Sequence, residues 1–255
     1  MDFIIAASTD VGIKKTTNQD SLSIKVINTV QGKMTFAVLC DGVGGFKRGE
    51  IASASLVNAF NEWVMNDLPS LCNSPIEDYV IRAQWEGIIE KMNEKLVNYG
   101  KRNNIKTGTT VVAMLLTRDR YYIINVGDSR VYEITDRVSQ MTNDQTWVAR
   151  EVERGKMTQE EAQNDPRRNI LLQCVGFSNK LYPEMRFGET KKNAVYFLSS
   201  DGFIHKISNE EIYENLKPEI LTDEFTMQER IDLLIDVNKQ RQEQDNISVA
   251  LARTF

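Results

Sequence analysis

Histidine is nearly absent from this chain, which has 1 histidine among 255 residues. A Ser-His-Asp triad would depend on His205 alone, and zinc-protease or multi-histidine dinuclear sites would lack their ligands. Because no serine or cysteine motif accompanies His205, a packing or surface role is the better interpretation of that residue. The absence excludes most hydrolase mechanisms that depend on imidazole.

Cysteine is also scarce, and its spacing excludes further classes. Cys40, Cys72 and Cys174 are widely separated, so neither a disulfide framework nor a zinc site is indicated. None of them is followed by an arginine six positions later, and the thiolate loop of cysteine phosphatases is therefore missing. We expect reduced thiols that are packed or half-exposed.

Long apolar runs and basic stripes are missing too. The longest apolar stretch, Val111 to Leu116, is far too short to cross a bilayer, and the N-terminus lacks the pattern of a secretion signal. We therefore expect a cytoplasmic protein without a membrane partner. The formal net charge of −5 argues against a nucleic-acid partner, and no glycine-rich nucleotide-binding loop occurs.

Acidic turns beside apolar runs are what the sequence does contain. The turns are Asp41-Gly42, Asp201-Gly202 and Asp245-Asn246. The first two follow the runs Phe36–Cys40 and Val195–Leu198, and the third precedes the last apolar run. A carboxylate at the end of a buried strand has a rigid support and can still face a cleft. Several converging carboxylates would form an all-oxygen site, which Mg²⁺ and Mn²⁺ prefer.

An Asp-Gly pair is also a common hairpin signal, so the turn interpretation stays open for each pair taken alone. Asp41, however, is followed by Gly42, Gly44 and Gly45. This backbone freedom exceeds what a two-residue turn needs and suits the close approach of a ligand or ion. The backbone carbonyl of Gly42 is then a further candidate metal ligand.

Apolar periodicity predicts the main strands and helices. The strands are Phe3–Ala7, Leu22–Val26, Phe36–Cys40, Thr109–Leu116, Tyr121–Val126, Val195–Ser199 and Ile247–Ala252. Two amphipathic helices lie within Glu50–Asn66 and Pro75–Gly100. Capping boxes mark three further helix starts, at Thr158 with Glu161, Ser208 with Glu211 and Thr226 with Glu229.

The order of these elements indicates the fold class. Strands occur in adjacent runs rather than in strict β-α alternation, which favours antiparallel sheets with helices packed outside, an α+β layered domain. No repeat or linker divides the chain, so we assign residues 1–255 to a single domain. The polar, arginine-rich segment from Asn143 to Asn169 is the best candidate for a lid over the site.

Short motifs follow one another along nearly the whole chain. They are Gly12–Ser21 (GIKKTTNQDS), Asp41–Gly45 with Gly49-Glu50 and Ala52-Ser53, Gly108–Thr110, Val126–Tyr132, Ser200–Gly202 and Asp245–Ile247. In this order the motifs resemble the metal-dependent Ser/Thr protein phosphatases of type 2C, the PPM family. The segment from Met141 to Gly176 is similar to the flap of bacterial-type members, and we place the flap at about residues 143–178.

The resemblance implies a four-layer α/β/β/α sandwich of two antiparallel sheets flanked by helices, with a two-metal centre at one end of the sheets. By analogy, Asp41, Asp201 and Asp245 hold one Mn²⁺ or Mg²⁺ ion. Asp41 and the carbonyl of Gly42 hold the second, and Asp128 with Asp201 would bind a third. Without the resemblance, Asp128 could equally be an aspartate of a surface turn.

Other residues would support this centre. The resemblance implies that Asp20 hydrogen-bonds waters on the metals, with Gln19 and Asn246 beside it, and that Lys15 binds the substrate phosphate. Two bound ions would acidify a bridging water, which attacks phosphorus in line. No covalent phosphoenzyme would form, so catalysis would lie in positioning and charge neutralisation.

Three positions depart from the usual family pattern. Lys15 stands where members usually have an arginine, and a lysine offers a point charge without the bidentate fork, which predicts weaker phosphate binding. Gln19 replaces a glutamate and removes one negative charge. Val43 replaces a histidine of eukaryotic members, so a water on the metal would protonate the leaving group. The flap also lacks histidines that are common in bacterial members.

The resemblance therefore implies Mn²⁺- or Mg²⁺-dependent hydrolysis of phosphoserine and phosphothreonine on bacterial proteins, in opposition to a Ser/Thr kinase. One alternative is a pseudophosphatase, a module of the same fold that binds phosphoproteins or partners without turnover. Another is a phosphatase of small phosphoesters. The presence of Asp41, Asp201 and Asp245 favours an enzyme over the pseudophosphatase.

Overall fold

The computed structural model describes residues 1–255, and two antiparallel five-stranded sheets lie at its centre. One sheet has the spatial order β1-β10-β9-β6-β7 and contains β1 (Phe3–Asp10), β6 (Arg130–Ile134), β7 (Val138–Gln140), β9 (Val195–Ser199) and β10 (Ile247–Thr254). The other has the order β2-β3-β4-β5-β8 and contains β2 (Asp20–Thr29), β3 (Gly32–Asp41), β4 (Val111–Leu116), β5 (Arg120–Val126) and β8 (Glu184–Glu189).

Helices cover both outer faces of this pair of sheets. They are α1 (Gly49–Asn66), α2 (Leu68–Leu71), α3 (Asp78–Asn103), α4 (Trp147–Glu153), α5 (Gln159–Asn164), α6 (Asp201–Ile204), α7 (Asn209–Leu216) and α8 (Glu224–Gln240). Helices α1 and α3 pack on the sheet that contains β3, whereas α6, α7 and α8 pack on the sheet that contains β9 and β10. The predicted four-layer α+β sandwich is confirmed.

Strand β3 shows how the layers are built. Phe36, Val38 and Cys40 point to the apolar cluster under α1 and α3, while Ala37 and Leu39 point to the cluster between the two sheets. Because alternate side chains of a strand face opposite sides, both faces of β3 are buried. That is why its sequence is a continuous apolar run rather than an alternating one.

Most predicted strands and both long helices are confirmed, with small shifts at their ends. Strands β6, β7 and β8 were not predicted from the sequence. In these strands charged or polar residues interrupt the apolar ones. β7 and β8 are edge strands that bury only part of their side chains, and such strands carry a weak apolar signal. The second long helix begins at Asp78, after the predicted Pro75, and Asn104 (φ 53°) ends it in the left-handed conformation.

The capping boxes at Thr158 and Ser208 are confirmed, since in each case the side chain accepts from the backbone N–H of the glutamate three residues on. The prediction at Thr226 is wrong. Helix α8 begins earlier, because the side chain of Asp223 accepts the N–H of Thr226 at 2.8 Å and caps the helix. Thr226 therefore lies inside the first turn.

The cysteines are free and buried, which agrees with the expectation of packed, reduced thiols. No helix of the structure combines the length and the apolar composition needed to cross a membrane.

Replacing Phe36 with alanine should lower the free energy of unfolding by about 3–5 kcal/mol, because it removes a large side chain from a filled core. Phe36 is fully buried, and its ring centroid lies 5.9–6.1 Å from those of Phe60, Trp63 and Trp85. Urea unfolding followed by tryptophan fluorescence measures the change. Val30→Ala is the control, since Val30 is 81% exposed; an equal loss in both variants would contradict this account of the core.

Candidate active site

Two aspartates meet at the end of the β2-β3 hairpin. Asp20, the first residue of β2, lies opposite Asp41, the last residue of β3. The backbone N–H of Asp41 donates to the Thr110 hydroxyl at 3.0 Å, and its carbonyl accepts the Thr110 N–H at 2.8 Å. The Gly42 N–H donates to the carbonyl of Gln19 at 3.1 Å. The backbone that carries both carboxylates is therefore fixed by β4 and by the hairpin itself.

Two more aspartates come from the other sheet. Asp201 is the first residue of α6, directly after β9, and Asp245 lies just before β10, which pairs with β9. A Cβ atom at Gly202 would lie 2.2 Å from the Asn246 carbonyl oxygen, and one at Gly12 would lie 2.3 Å from the Asp245 carbonyl oxygen. Gly12 also has φ 75°. Only glycine permits this close approach of three chain segments.

Asn246 ties the N-terminal loop to the segment that carries Asp245. Its side-chain amide donates to the carbonyls of Val11 (2.9 Å) and Thr17 (3.3 Å), and its side-chain oxygen accepts the N–H of Gln19 at 2.9 Å. Asn246 is 3% exposed. The loop from Val11 to Gln19, which carries Lys15, is thereby held against the aspartates.

Lys15 lies at the rim of the cluster. Its ammonium nitrogen is 3.2 Å from an Asp245 carboxylate oxygen, and the pair is about one-third exposed. Gly44, from the loop after Asp41, is also near this ammonium group, since a Cβ atom built on Gly44 would lie 4.0 Å from the Lys15 nitrogen. A phosphate that reached these carboxylates would therefore meet one cation that belongs to the chain.

Asp128 follows β5 and belongs to the same end of the sheets. The N–H of Gly127 (φ 116°) donates to the side-chain oxygen of Gln145 at 2.8 Å. Arg130 binds both carboxylate oxygens of Asp144, at 2.8 and 2.5 Å. Burial and then the charges of Asp201 and Asp144 raise the pKa of Asp128 to about 8. Asp128 therefore shares the electrostatic environment of Asp201 rather than that of an open surface turn.

The carboxylates of this cluster repel one another when they are ionised. Burial raises the pKa of Asp20 to about 7, and the charges of Asp201 and Asp245 add to the shift. Burial and then the charges of Asp20 and Asp201 hold the pKa of Asp41 well above its ordinary value. Burial also raises the pKa of Asp201, and Asp245 adds to it. Carboxylates this close strongly disfavour one another's ionised form unless a cation lies between them.

The donor set fits a hard divalent cation. Both carboxylate oxygens of Asp20 and one of Asp201 are buried without a hydrogen-bond partner, and unpaired acceptors at this depth are costly. No three acidic, cysteine or histidine groups are arranged around a common point in this conformation, in which Asp245 is paired with the Lys15 ammonium. Oxygen-only ligands of high negative charge are those that Mg²⁺ and Mn²⁺ prefer.

Comparison with known proteins agrees with this geometry. A family model described as protein phosphatase 2C matches residues 12–230. The chain belongs to the protein phosphatase 2C family. A relative from Streptococcus pyogenes serotype M6, whose description assigns it to the 2C type, is 32% identical over 252 residues and the match covers 97% of this chain and 96% of that one.

Solved structures support the same conclusion. The S. agalactiae serine/threonine phosphatase superposes with a TM-score of 0.81 at 29% identity, with 100% of both chains covered. A PstP catalytic domain solved with two manganese ions has a TM-score of 0.79 at 24% identity, and the match covers 98% of this chain and 97% of that one. At this identity the match shows that the two proteins share a fold. The enzyme class predicted from the sequence, a protein serine/threonine phosphatase, is confirmed.

The phosphatase carries an insert between β7 and β8 that contains α4 and α5. Its far end returns to the core, because Thr109 and Val175 exchange two backbone hydrogen bonds of 2.9 Å. The side chain of Asn93 accepts the Gly176 N–H at 2.7 Å and donates to the Ser178 carbonyl at 2.9 Å. The insert is therefore anchored next to the strand end that carries Asp41.

Sequence reasoning missed two neighbours of the aspartates in this phosphatase. The His205 imidazole lies 3.6 Å from an Asp201 oxygen through one nitrogen and 3.4 Å from a Glu243 oxygen through the other. Glu243 is buried, and its carboxylate also accepts the backbone N–H groups of Gln244 and Asp245. His205 thus packs directly against a candidate metal ligand. The i, i+4 spacing of Asp201 and His205 at the start of a helix is the sequence signal that could have predicted this contact.

The metal-free phosphatase should lose stability as the pH rises from about 4 to about 8. Asp20, Asp41 and Asp128 have raised pKa values in the folded state, so the folded protein keeps protons that the unfolded chain releases, and unfolding is favoured as the pH increases. The raised pKa of His205 acts in the same direction. Melting temperatures in EDTA between pH 5 and pH 8.5 test this.

Saturating Mg²⁺ should flatten this dependence, because a cation favours the ionised carboxylates. In EDTA at pH 8, Asp128→Asn should melt a few degrees above the parent protein, whereas at pH 5 the two should coincide. The exposed Asp119→Asn variant is the control and should follow the parent. A melting temperature that does not depend on pH would count against a repelling carboxylate cluster.

Replacing Asn246 with alanine should destabilise the phosphatase by about 1–3 kcal/mol, because it leaves half-buried backbone groups of the Val11–Gln19 loop without their side-chain partner. Because that loop carries Lys15, KM for p-nitrophenyl phosphate should also rise. Urea unfolding and steady-state kinetics measure the two effects. The exposed Asn103→Ala should change neither, and an Asn246 variant of parental stability would show that the loop is held by other contacts.

Proposed function

We propose that this phosphatase hydrolyses phosphoserine and phosphothreonine on proteins with the help of bound Mn²⁺ or Mg²⁺. The observation that carries the proposal is the group of repelling carboxylates at one end of the two sheets, with unpartnered buried oxygens on Asp20 and Asp201. Such a group is unfavourable in a protein that has no cation to bind. Family membership supports the reaction class.

We assign one ion to Asp41, Asp201 and Asp245, and a second to Asp41 and the carbonyl of Gly42. A third ion would take Asp128 with Asp201. The bound ions would supply charge neutralisation at the phosphate and a water of lowered pKa.

The other residues of the site would position the substrate. Lys15 would bind a phosphate oxygen, and its ammonium would have to leave Asp245, 3.2 Å away in this structure. Asp20 would orient waters through its two unpartnered oxygens. Gln19 would fix Gly42 through its carbonyl, as its hydrogen bond to the Gly42 N–H indicates. The side chain of Val43 has no proton to donate, so this position would supply no general acid for the leaving group.

We further propose that residues 1–255 form one catalytic domain, with residues 143–178 as its flap. The chain on both sides of the flap supports this, because β5 before it and β8 after it pair in the same sheet. We place the enzyme in the cytoplasm, where it would act on phosphoproteins in opposition to a Ser/Thr kinase.

A binding module without turnover is the competing function. The Lys15–Asp245 ion pair favours it, because an ammonium group lies where a cation would have to compete for that carboxylate. The same assay separates the two functions, since a module of this kind would bind phosphopeptides and release no phosphate.

Hydrolysis of p-nitrophenyl phosphate should require Mn²⁺ or Mg²⁺ and should stop in EDTA. The Asp201→Asn variant should be slower by at least roughly a hundredfold, because loss of outer-shell partners alone costs up to that much in metal sites. Asp119→Asn, on the exposed β4–β5 turn, should retain parental activity. A phosphothreonine peptide then tests the substrate class.

If folded protein with saturating Mn²⁺ releases no phosphate from either substrate, the enzyme function is wrong. If only p-nitrophenyl phosphate and other small esters are hydrolysed, the substrate class is wrong and the reaction class stands.

A further inference from the structure

A polar cleft opens directly beside the candidate metal centre. It has a volume of about 650 Å³, and none of its 11 lining residues is hydrophobic. Four cationic side chains line it: Lys14, Lys15, Arg168 and Lys206. We call it the basic cleft. Its size is within the range of ordinary ligand sites, and its lining favours a polar or charged ligand.

Four separate parts of the chain form the basic cleft, and three of them supply its cations. Lys14 and Lys15 come from the loop after β1, Lys206 follows α6, and Arg168 comes from the insert between β7 and β8. Asp245, a candidate metal ligand, lines the cleft as well. A substrate whose phosphate lay at the aspartates would therefore have neighbouring groups within the cleft.

Three of the four cations of the basic cleft are available to a ligand. Lys14, Arg168 and Lys206 form no ion pair in the structure. Lys14 contacts the side-chain oxygen of Gln244, at 2.8 Å.

The two carboxylates of the cleft are already engaged. Glu243 is 5% exposed and accepts backbone N–H groups at 2.7 and 3.0 Å, and Asp245 pairs with Lys15. The open surface of the cleft is therefore positive, on a chain whose formal net charge is −5. A local excess of cations in an acidic protein selects for an anionic ligand.

We propose that the basic cleft is a substrate subsite for an anionic group, a carboxylate or a second phosphate, carried on the phosphoprotein within a few residues of the phosphoresidue. The proposal rests on the phosphatase function proposed above. An extended peptide advances about 3.3 Å per residue, so residues next to the phosphoresidue reach the cleft while its phosphate stays at the aspartates. Lysine and arginine at the rim then favour acidic neighbours over neutral or basic ones.

The test compares phosphothreonine peptides of one length whose flanking residues are all alanine, all glutamate or all lysine, together with a doubly phosphorylated peptide. For the parent protein, kcat/KM should be roughly tenfold higher with glutamate than with alanine flanks, as two or three exposed ion pairs would give. Lysine flanks should lower it. The preference should shrink in 0.5 M NaCl, because exposed charges are screened over a few ångströms at that ionic strength.

The double variant Arg168→Gln/Lys206→Gln should reduce the preference to within about twofold and leave kcat/KM for p-nitrophenyl phosphate unchanged, because that substrate has no flanking residues that could contact Arg168 or Lys206. Arg137→Gln/Lys192→Gln is the matched control. Both of its residues are exposed, and they lie where β6 ends and β9 begins, at the other end of these strands from Asp201. The control should keep the full preference.

Equal rates for the three singly phosphorylated peptides, or a preference that survives the loss of Arg168 and Lys206, would overturn the proposal. If the double variant misfolds, the single variants Arg168→Gln and Lys206→Gln replace it in the test. Each of them should then lower the preference for glutamate-flanked peptides. Fluorescence-polarisation binding of the same peptides to Asp201→Asn separates the two hypotheses. If the variant binds acidic peptides selectively but the parent protein shows no turnover, the proposed enzyme function is wrong and the subsite stands. If the parent protein shows turnover without a preference for acidic peptides, the subsite is wrong and the enzyme function stands.

Discussion

Repulsion among buried carboxylates is the constraint on which the rest of this structure depends. In addition to burial, the charges of Asp20, Asp201 and Asp128 raise the pKa of Asp41, and the charge of Asp201 raises the pKa of both Asp20 and Asp128. A fold can keep such a group only if packing elsewhere holds the backbone in place, because the group itself opposes folding at neutral pH. Three apolar clusters, one between the sheets and one on each outer face, provide that support.

The support reaches the site through short, specific contacts. Gly12 and Gly202 let their segments touch the backbone beside Asp245, and Asn246 closes the same junction with its side-chain amide. These residues bring the first loop, the start of α6 and the start of β10 together, although they are more than 200 positions apart at the extremes. Segments near both ends of the chain thus form part of the candidate site, so its geometry depends on the stability of the whole fold.

Charged groups beyond the aspartates also contribute to the electrostatic environment of the site. The proposed metal ligands supply negative charge, whereas a phosphorylated substrate needs positive charge, and the two kinds of charge are only 3.2 Å apart at the Lys15–Asp245 pair. Family membership accounts for the acidic part. The cations beyond it come from loops and from the insert, where residues can change without disturbing the core. Under the two proposals, reaction class and substrate choice would rest on different parts of the chain.

The sequence by itself determined the layered α+β fold and the acidic turns, because buried strands on both sides of a sheet give continuous apolar runs that are readable locally. It did not give the edge strands β7 and β8, whose partly polar residues carry little signal, or the start of α8, where Asp223 rather than Thr226 is the cap. Only the tertiary structure decided that His205 lies between Asp201 and Glu243 and that Arg168 joins Lys206 across one cleft. Glu243 is 38 positions from His205, and Lys206 is 38 positions from Arg168, so no local pattern of residues encodes these distances.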